Sequence, residues 1–213
     1  MVRLFPSHRW VVALATALLL APLEANASAP GPDLGASAGS GASTAAASGA
    51  GTIDYAGLVA LDIPTSKHQG LGFRIAGEFM YGMGTIAPNL SWDLGGRLGL
   101  IYNSSSGLPP GESAWLLTFE AVPTARLLYA LAPAFSAYGQ GGIGLAFAHA
   151  SATGGGTTNT DNSVIVVFHL GGGVMYALSP NLSVLGEIGF NFYTGDVGTT
   201  HIAIPTIGLQ WRM

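Results

Sequence analysis

The chain has 213 residues, of which 8% are charged and 49% hydrophobic, with a formal net charge of −4 and a mean hydropathy of +0.45. Soluble globular domains carry about 25% charged residues, so this chain has too little polar surface to face water on all sides. The acidic balance offers no polybasic patch for nucleic acid, and without cysteine there is no disulfide framework.

Residues 1–27 have the pattern of a cleavable export signal. A basic start containing Arg3 and Arg9 precedes an apolar core over residues 10–20, and Ala27 ends a small-residue cleavage site. Cleavage after Ala29 is the alternative, and it would leave a proline first. A retained membrane anchor is a further alternative, but the apolar core is short for a span.

Residues 28–51 are composed almost entirely of Ala, Gly, Ser and Thr, with Asp33 as the only charge. Such a segment buries too little apolar surface to offset the entropy lost on ordering. The sequence therefore predicts a flexible lead-in over 28–51 and a folded domain over 52–213.

A nearly identical phrase occurs three times in the folded domain, with its prolines 45 and 47 residues apart. The copies are Ile86-Ala-Pro-Asn-Leu-Ser91, Leu131-Ala-Pro-Ala-Phe-Ser136 and Leu178-Ser-Pro-Asn-Leu-Ser183. Each places a short proline turn before a segment that alternates apolar with small or polar residues. Repeats of this kind indicate a barrel built from hairpins.

Eight strands are predicted in this domain, and the connections between them alternate in length. The strands are expected at 55–63, 71–83, 90–102, 114–129, 135–149, 164–177, 182–193 and 201–213. The proline turns after the second, fourth and sixth strands are short, whereas the connections 103–113 and 150–163 are long and rich in Gly, Ser, Thr and Asn. Short turns at one rim and long loops at the other are typical of outer-membrane barrels.

Alternation along the predicted strands separates charged from apolar residues. In the third strand Leu94, Leu98 and Leu100 share one face, while Asp93 and Arg97 lie on the other. Across the second to eighth strands four arginines and four carboxylates fall on one face, and none falls on the apolar face. These residues are Arg74, Glu78, Asp93, Arg97, Glu120, Arg126, Glu187 and Arg212.

Aromatic residues on the apolar face lie near both strand ends, where two membrane interfaces would be. The main ones are Tyr81, Trp92, Tyr102, Trp115, Tyr129, Tyr176 and Trp211. Since no apolar run of about 18 residues follows the N-terminal segment, a closed sheet is the spanning form left. The fold class predicted is all-β, an eight-stranded antiparallel up-and-down transmembrane β-barrel. A water-soluble, lipocalin-like barrel would need the opposite orientation of the faces.

Eight strands leave an interior just wide enough for side chains to fill. The inward arginines and carboxylates are therefore expected to pair as a polar plug, because enclosed charges need partners. A narrow ion path through these charges is the alternative. We expect no cofactor, no metal site and no nucleic-acid partner.

Over residues 52–213 the chain resembles the small eight-stranded outer-membrane proteins, the OmpX, OmpA-transmembrane and opacity-type group. The resemblance rests on the architecture and on the end of the chain, which is similar to the C-terminal assembly signal of that family. Gly208 and Trp211 match this signal, and Met213 stands where the family usually has Phe. The resemblance implies the bacterial outer membrane, contact with its lipid, insertion by the barrel-assembly machinery through the last strand, and long loops that could meet an extracellular partner. Members of the group serve variously as adhesins, envelope stabilisers or complement-evasion factors.

His149 and Ser151 form a His-x-Ser element that is similar to that of the lipid A deacylases of the PagL type. A hydroxyl nucleophile needs a base within hydrogen-bond reach and a group that orients the base. Ala152 stands where that family has Asn, and no carboxylate occupies an obvious third position, since Asp161 lies in a predicted flexible loop. A non-enzymatic barrel is our expectation, with the hydrolase as the alternative. His68, His149 and His201 are expected at the same rim, without the spacing of a metal site.

Overall fold

The chain forms a closed β-barrel in a computed structural model that describes residues 49–66, 69–105, 107–194 and 199–213. Each strand pairs antiparallel with the next, and β8 pairs with β1 to close the ring. The predicted eight-stranded up-and-down architecture is confirmed. No helix in the described ranges is long and apolar enough to cross a membrane. The predicted signal peptide and most of the predicted lead-in lie outside the described residues.

The strands run from 12 to 23 residues. They are β1 Ile53–Pro64, β2 Gln69–Ala87, β3 Leu90–Ser105, β4 Ser113–Ala132, β5 Phe135–Gly154, β6 Thr157–Ser179, β7 Leu182–Tyr193 and β8 Thr200–Arg212.

The largest difference from the sequence expectation is the connection predicted over 150–163. These residues continue β5 and β6 as a paired hairpin, which turns at Gly155 and Gly156. Both glycines have positive φ, 59° and 78°, which glycine adopts without steric cost. The Thr- and Asn-rich segment that was predicted to be a loop is therefore strand up to its two-residue tip.

The three short proline turns join β2 to β3, β4 to β5 and β6 to β7. In the first of them Asn89 has a φ of 62°, a conformation that asparagine tolerates better than most residues. The repeated phrase in the sequence thus marks one rim of the barrel.

Burial alternates along the strands, except in the outer part of β6, where residues 157–162 are all exposed. Large apolar side chains that face outward are exposed, for example Val59 at 58% and Leu170 at 57%. The inward face holds the charged residues together with two apolar clusters, one around Ile101 and Val167 and one around Leu128 and Leu185. The interior is therefore filled by both kinds of side chain, a mixture that the charge pattern alone did not predict.

Candidate functional site

The barrel interior contains four arginines and six carboxylates, nearly all of them fully buried. All eight charged residues predicted for the polar face point inward. Two further carboxylates on β1 join them, Asp54 and Asp62, which are 3% and 0% exposed. The alternation of β1 could have identified both. Every second residue of this strand points inward, and Asp54 and Asp62 are on the same face as the buried Ala56, Leu58 and Ala60.

Towards the rim opposite the proline turns, Arg74 lies between two carboxylates. Its Nη2 donates to Asp62 Oδ1 at 3.1 Å, and its Nη1 lies 3.4 Å from Glu120 Oε1. His201 Nδ1 donates to Asp62 Oδ2 at 2.6 Å, and Tyr193 donates its hydroxyl to Glu120 at 3.0 Å. Each of the two carboxylates therefore has a cationic partner and at least one further donor.

At mid-height Arg97 is held by two carboxylates from other strands. Its Nη1 donates to Glu187 Oε1 at 2.8 Å and lies 3.5 Å from Glu78 Oε1. The amide nitrogen of Gln140 joins the same two acids, at 2.6 Å from Glu187 Oε2 and 2.9 Å from Glu78 Oε1. Tyr138 also donates to Glu187, at 3.1 Å. Arg97 on β3 and Glu187 on β7 thus meet across the lumen.

His169 connects the group around Arg97 with the group around Arg74 and Glu120. Its Nε2 lies 2.9 Å from Arg97 Nη1, and its Nδ1 lies 2.7 Å from Asn191 Oδ1. Because a guanidinium group has no acceptor, Nε2 accepts and Nδ1 carries the proton. Asn191 in turn donates to Glu120 at 2.7 Å. The imidazole is therefore neutral in this arrangement and links Arg97 to Asn191 by two hydrogen bonds.

Near the proline turns Arg126 is the central cation. It donates through Nε and Nη2 to Asp93 at 3.1 and 3.0 Å, and through Nη1 to Gln210 at 3.0 Å. Gln210 donates to Asp54 at 2.8 Å, and Arg212 Nε donates to the same carboxylate at 2.9 Å. With a 4.0 Å contact between Arg126 and Glu78, the polar chain continues from one rim to the other.

Two buried glutamates, Glu120 and Glu187, have room because glycine lies beside them. Gly99 on β3 pairs directly with Glu120 on β4. A Cβ atom at Gly99 would lie 2.6 Å from Glu120 Oε1 and 2.7 Å from Glu120 Cγ, so a larger residue would displace that carboxylate. The glycine content of the inward face is thus part of how the charges are accommodated.

The predicted interface aromatics all lie on the outward face. Tyr81, Tyr129, Tyr176 and Trp211 are between 43% and 53% exposed near the proline turns. At the other rim, rings on four consecutive strands contact one another in sequence. The centroid distances are 5.6 Å for Phe73–Tyr102, 6.4 Å for Tyr102–Trp115 and 5.2 Å for Trp115–His149.

His149 lies on the outward face of β5 and forms a hydrogen bond with Asn162 on β6, with 2.6 Å between Nδ1 and Oδ1. Within the described residues, its hydrogen bonds do not include Ser151. Asp161 instead accepts from the backbone nitrogen of Asn162 at 2.8 Å. The imidazole is oriented by an amide, a partner that the sequence did not predict, and it contacts the Trp115 ring at an interplanar angle of 49°.

Of the three histidines expected at one rim, the two that the structure describes lie on opposite faces of the barrel wall. His201 points inward to Asp62 and His149 points outward, while His68 lies outside the described residues. Across the described ranges no group of three or more His, Cys, Asp or Glu side chains is placed to hold a metal ion.

The predicted assembly-signal residues lie at the closing strand. Gly208 faces inward, where a Cβ would meet the Gly57 carbonyl oxygen at 2.6 Å, whereas Trp211 faces outward. Met213 is 80% exposed beside the proline-turn rim.

Residues 11–210 match the family model described as the outer membrane protein beta-barrel domain. No curated protein matches the sequence.

Similar solved structures include Ail, the attachment invasion locus protein of Yersinia pestis, at 11% identity and a TM-score of 0.48, covering 77% of this chain and 99% of that one. OprG of Pseudomonas aeruginosa is 13% identical with a TM-score of 0.47, covering 78% and 98%. The outer membrane enzyme PagL is 13% identical with a TM-score of 0.44, covering 74% and 98%. At these identities and scores, no statement about the function of this chain follows from them.

Proposed function

The chain belongs to the outer membrane protein β-barrel domain family, and on that basis we propose that it is a non-conducting, non-enzymatic barrel of the bacterial outer membrane. Its role is to present the β5–β6 hairpin and the connections of the same rim to the outside, as a structural or adhesive surface. The observation that carries the proposal is the polar chain that runs through the lumen from rim to rim, with two apolar clusters filling the space beside it. We expect export through the cleavable signal predicted over 1–27.

The filled lumen argues against the narrow pore. Arg74, Arg97 and Arg126 are each 1% exposed, and each contacts at least two carboxylates. An ion would have to break such pairs, and a buried charge left without its partner costs about 3–5 kcal/mol.

We therefore expect the purified barrel to give no steady conductance in planar bilayers. A protein-free membrane sets the background, and a co-purified porin is excluded by repeating the recording after gel isolation of the heat-modifiable band. A reproducible unitary current from the isolated barrel would contradict the plug.

The exposed rim is tested by protease treatment of intact cells with mapping of the cut sites. We expect cleavage within residues 107–112 and at the Gly155–Gly156 tip, because the backbone on either side of this tip is paired between β5 and β6. Cells opened with detergent are the control, in which the proline turns also become accessible. Cuts at Pro88, Pro133 or Pro180 in intact cells would reverse the proposed orientation.

The geometry of His149 gives the hydrolase alternative little support. The base is oriented by Asn162, but in the described structure it makes no hydrogen bond to Ser151, which is only 9% exposed. We therefore expect unchanged lipid A acylation in cells that express the chain. If lipid A loses an acyl chain in cells that express the wild-type protein but keeps it in cells that express Ser151→Ala, the barrel is an enzyme.

A further inference from the structure

Three outward-facing glycines lie side by side on β5, β6 and β7. Gly139 pairs directly with Gly172, and Gly186 pairs with Val174, the next outward residue along β6. Glycine in the interior of a strand weakens it, and often marks a place where another group approaches the backbone closely.

The barrel itself does not require glycine at these positions. A Cβ atom at Gly139 or Gly186 would meet nothing within 4 Å, and one at Gly172 would make an ordinary contact of 3.6 Å with the Tyr138 carbonyl oxygen. By contrast, a Cβ at Gly171, the inward neighbour, would lie 3.0 Å from the Glu187 carboxyl carbon. The inward glycine makes room for a side chain of this protein, whereas the outward ones leave room outside it.

That room is a groove of about 410 Å³ on the outer surface of β6, β7 and β8. Gly172 and Gly186 form its floor, and its walls are aliphatic. The wall side chains are Val174, Ile188, Ile204, Pro205 and Ile207. Glu187 and Thr206 border the groove only through their backbone, since their side chains are buried on the inward face.

The position of the groove along the membrane normal indicates what it binds. Gly172 lies four residues from Phe168 and four from Tyr176, the outward aromatics of β6 on either side of it. With a rise of about 3.3 Å per residue and a strand tilt of about 40°, each aromatic level lies about 10 Å away along the membrane normal. Headgroups and water do not reach this depth, so the groove opens only onto hydrocarbon.

We propose that this groove is a binding site for one acyl chain of an outer-membrane lipid, with the methyl half of the chain packed on Gly172 and Gly186. A narrow chain can lie on the two glycines between the aliphatic side chains, whereas the convex face of a second barrel would meet those side chains first. Dispersion contacts of the chain with the exposed backbone and the aliphatic walls supply the attraction. The site is independent of what the outer rim binds.

The test compares Gly172→Val/Gly186→Val with wild type and with Gly57→Val/Gly77→Val. The control pair also lies outward and is directly paired, on β1 and β2, and a Cβ there has no neighbour closer than 4.0 Å. Valine suits exposed strand positions, so all variants should fold, as heat-modifiable gel mobility will show. Each is reconstituted with phosphatidylcholine carrying a nitroxide near the methyl end of its chain.

Chains all around the barrel contribute to the immobilised spectral component, so we expect the groove variant to reduce that component by the share of about one chain per barrel, and wild type and control to give equal amounts. A label near the headgroup should report a smaller difference between the variants. Equal immobilisation in all three proteins would overturn the proposal. So would a dimer, seen by sedimentation in detergent, that the groove variant alone loses, because the groove would then be a contact between two copies of the chain.

Discussion

Replacing Arg97 by methionine should lower the free energy of unfolding by about 3–5 kcal/mol, because it leaves buried carboxylates without their cation. Arg97 is 1% exposed and contacts Glu187 at 2.8 Å and Glu78 at 3.5 Å. It is also the donor to His169. Urea unfolding of the refolded barrel in lipid vesicles, followed by tryptophan fluorescence, measures the change.

The double variant Arg97→Met/Glu187→Gln separates lost charge pairing from lost packing. Removing both charges should recover part of the stability that Arg97→Met loses, since one of the two carboxylates that Arg97 contacts is then neutral. Leu98→Met, at the next position and facing outward, should change stability little. If Arg97→Met unfolds at the wild-type urea concentration, the interior charges are not mutually stabilising and the plug must be described differently.

Replacing Val59 by arginine should cost about 2–4 kcal/mol, because it places a charge on the lipid-facing side near the bilayer midplane. Val59 is 58% exposed and lies four residues from Tyr55 and four from Ile63, the outward residues near the two ends of β1. In a barrel with water outside, an arginine at such an exposed position would be tolerated. The same unfolding measurement in lipid vesicles reports the effect.

Ile63→Arg is the matched control for depth. It introduces the same charge on the same face of β1, but near the interface, where the cost is about 0–1 kcal/mol. The prediction is therefore an ordered pair of losses, large at Val59 and small at Ile63. Equal losses at the two positions would contradict the assignment of β1 as a strand that crosses the hydrocarbon layer.

The strands were predictable where one face meets lipid and the other meets the lumen. The bounds of β7 are those predicted, because its apolar and polar residues alternate from Leu182 to Tyr193. The outer part of the β5–β6 hairpin was missed because Thr157–Ser163 has no apolar face. A strand with both faces polar loses the two-residue period, and its composition then resembles that of a loop.

The charged face was predictable from the sequence, but the pairing of its members was not. Alternation within one strand shows that Arg97 and Glu187 each point inward, yet these residues come from β3 and β7, which are not neighbours in the sheet. Their contact depends on the stagger of the strands around the ring, which no local pattern encodes. Asn162 was missed as the partner of His149 for a different reason, since the two residues pair directly in the part of the β5–β6 hairpin that was predicted to be a loop.

The bonds of Asp54 bear on how the barrel is made. This first-strand carboxylate contacts Gln210 and Arg212 of β8, and Asp62, at the other end of β1, contacts His201 of β8. Before the first and last strands meet, these ionic groups lack their final partners, and exposing them to hydrocarbon is costly. We therefore expect the pairing of β1 with β8 to precede, or accompany, full entry into the bilayer. A barrel that is still open between these two strands would stay where water can solvate their unpaired charges.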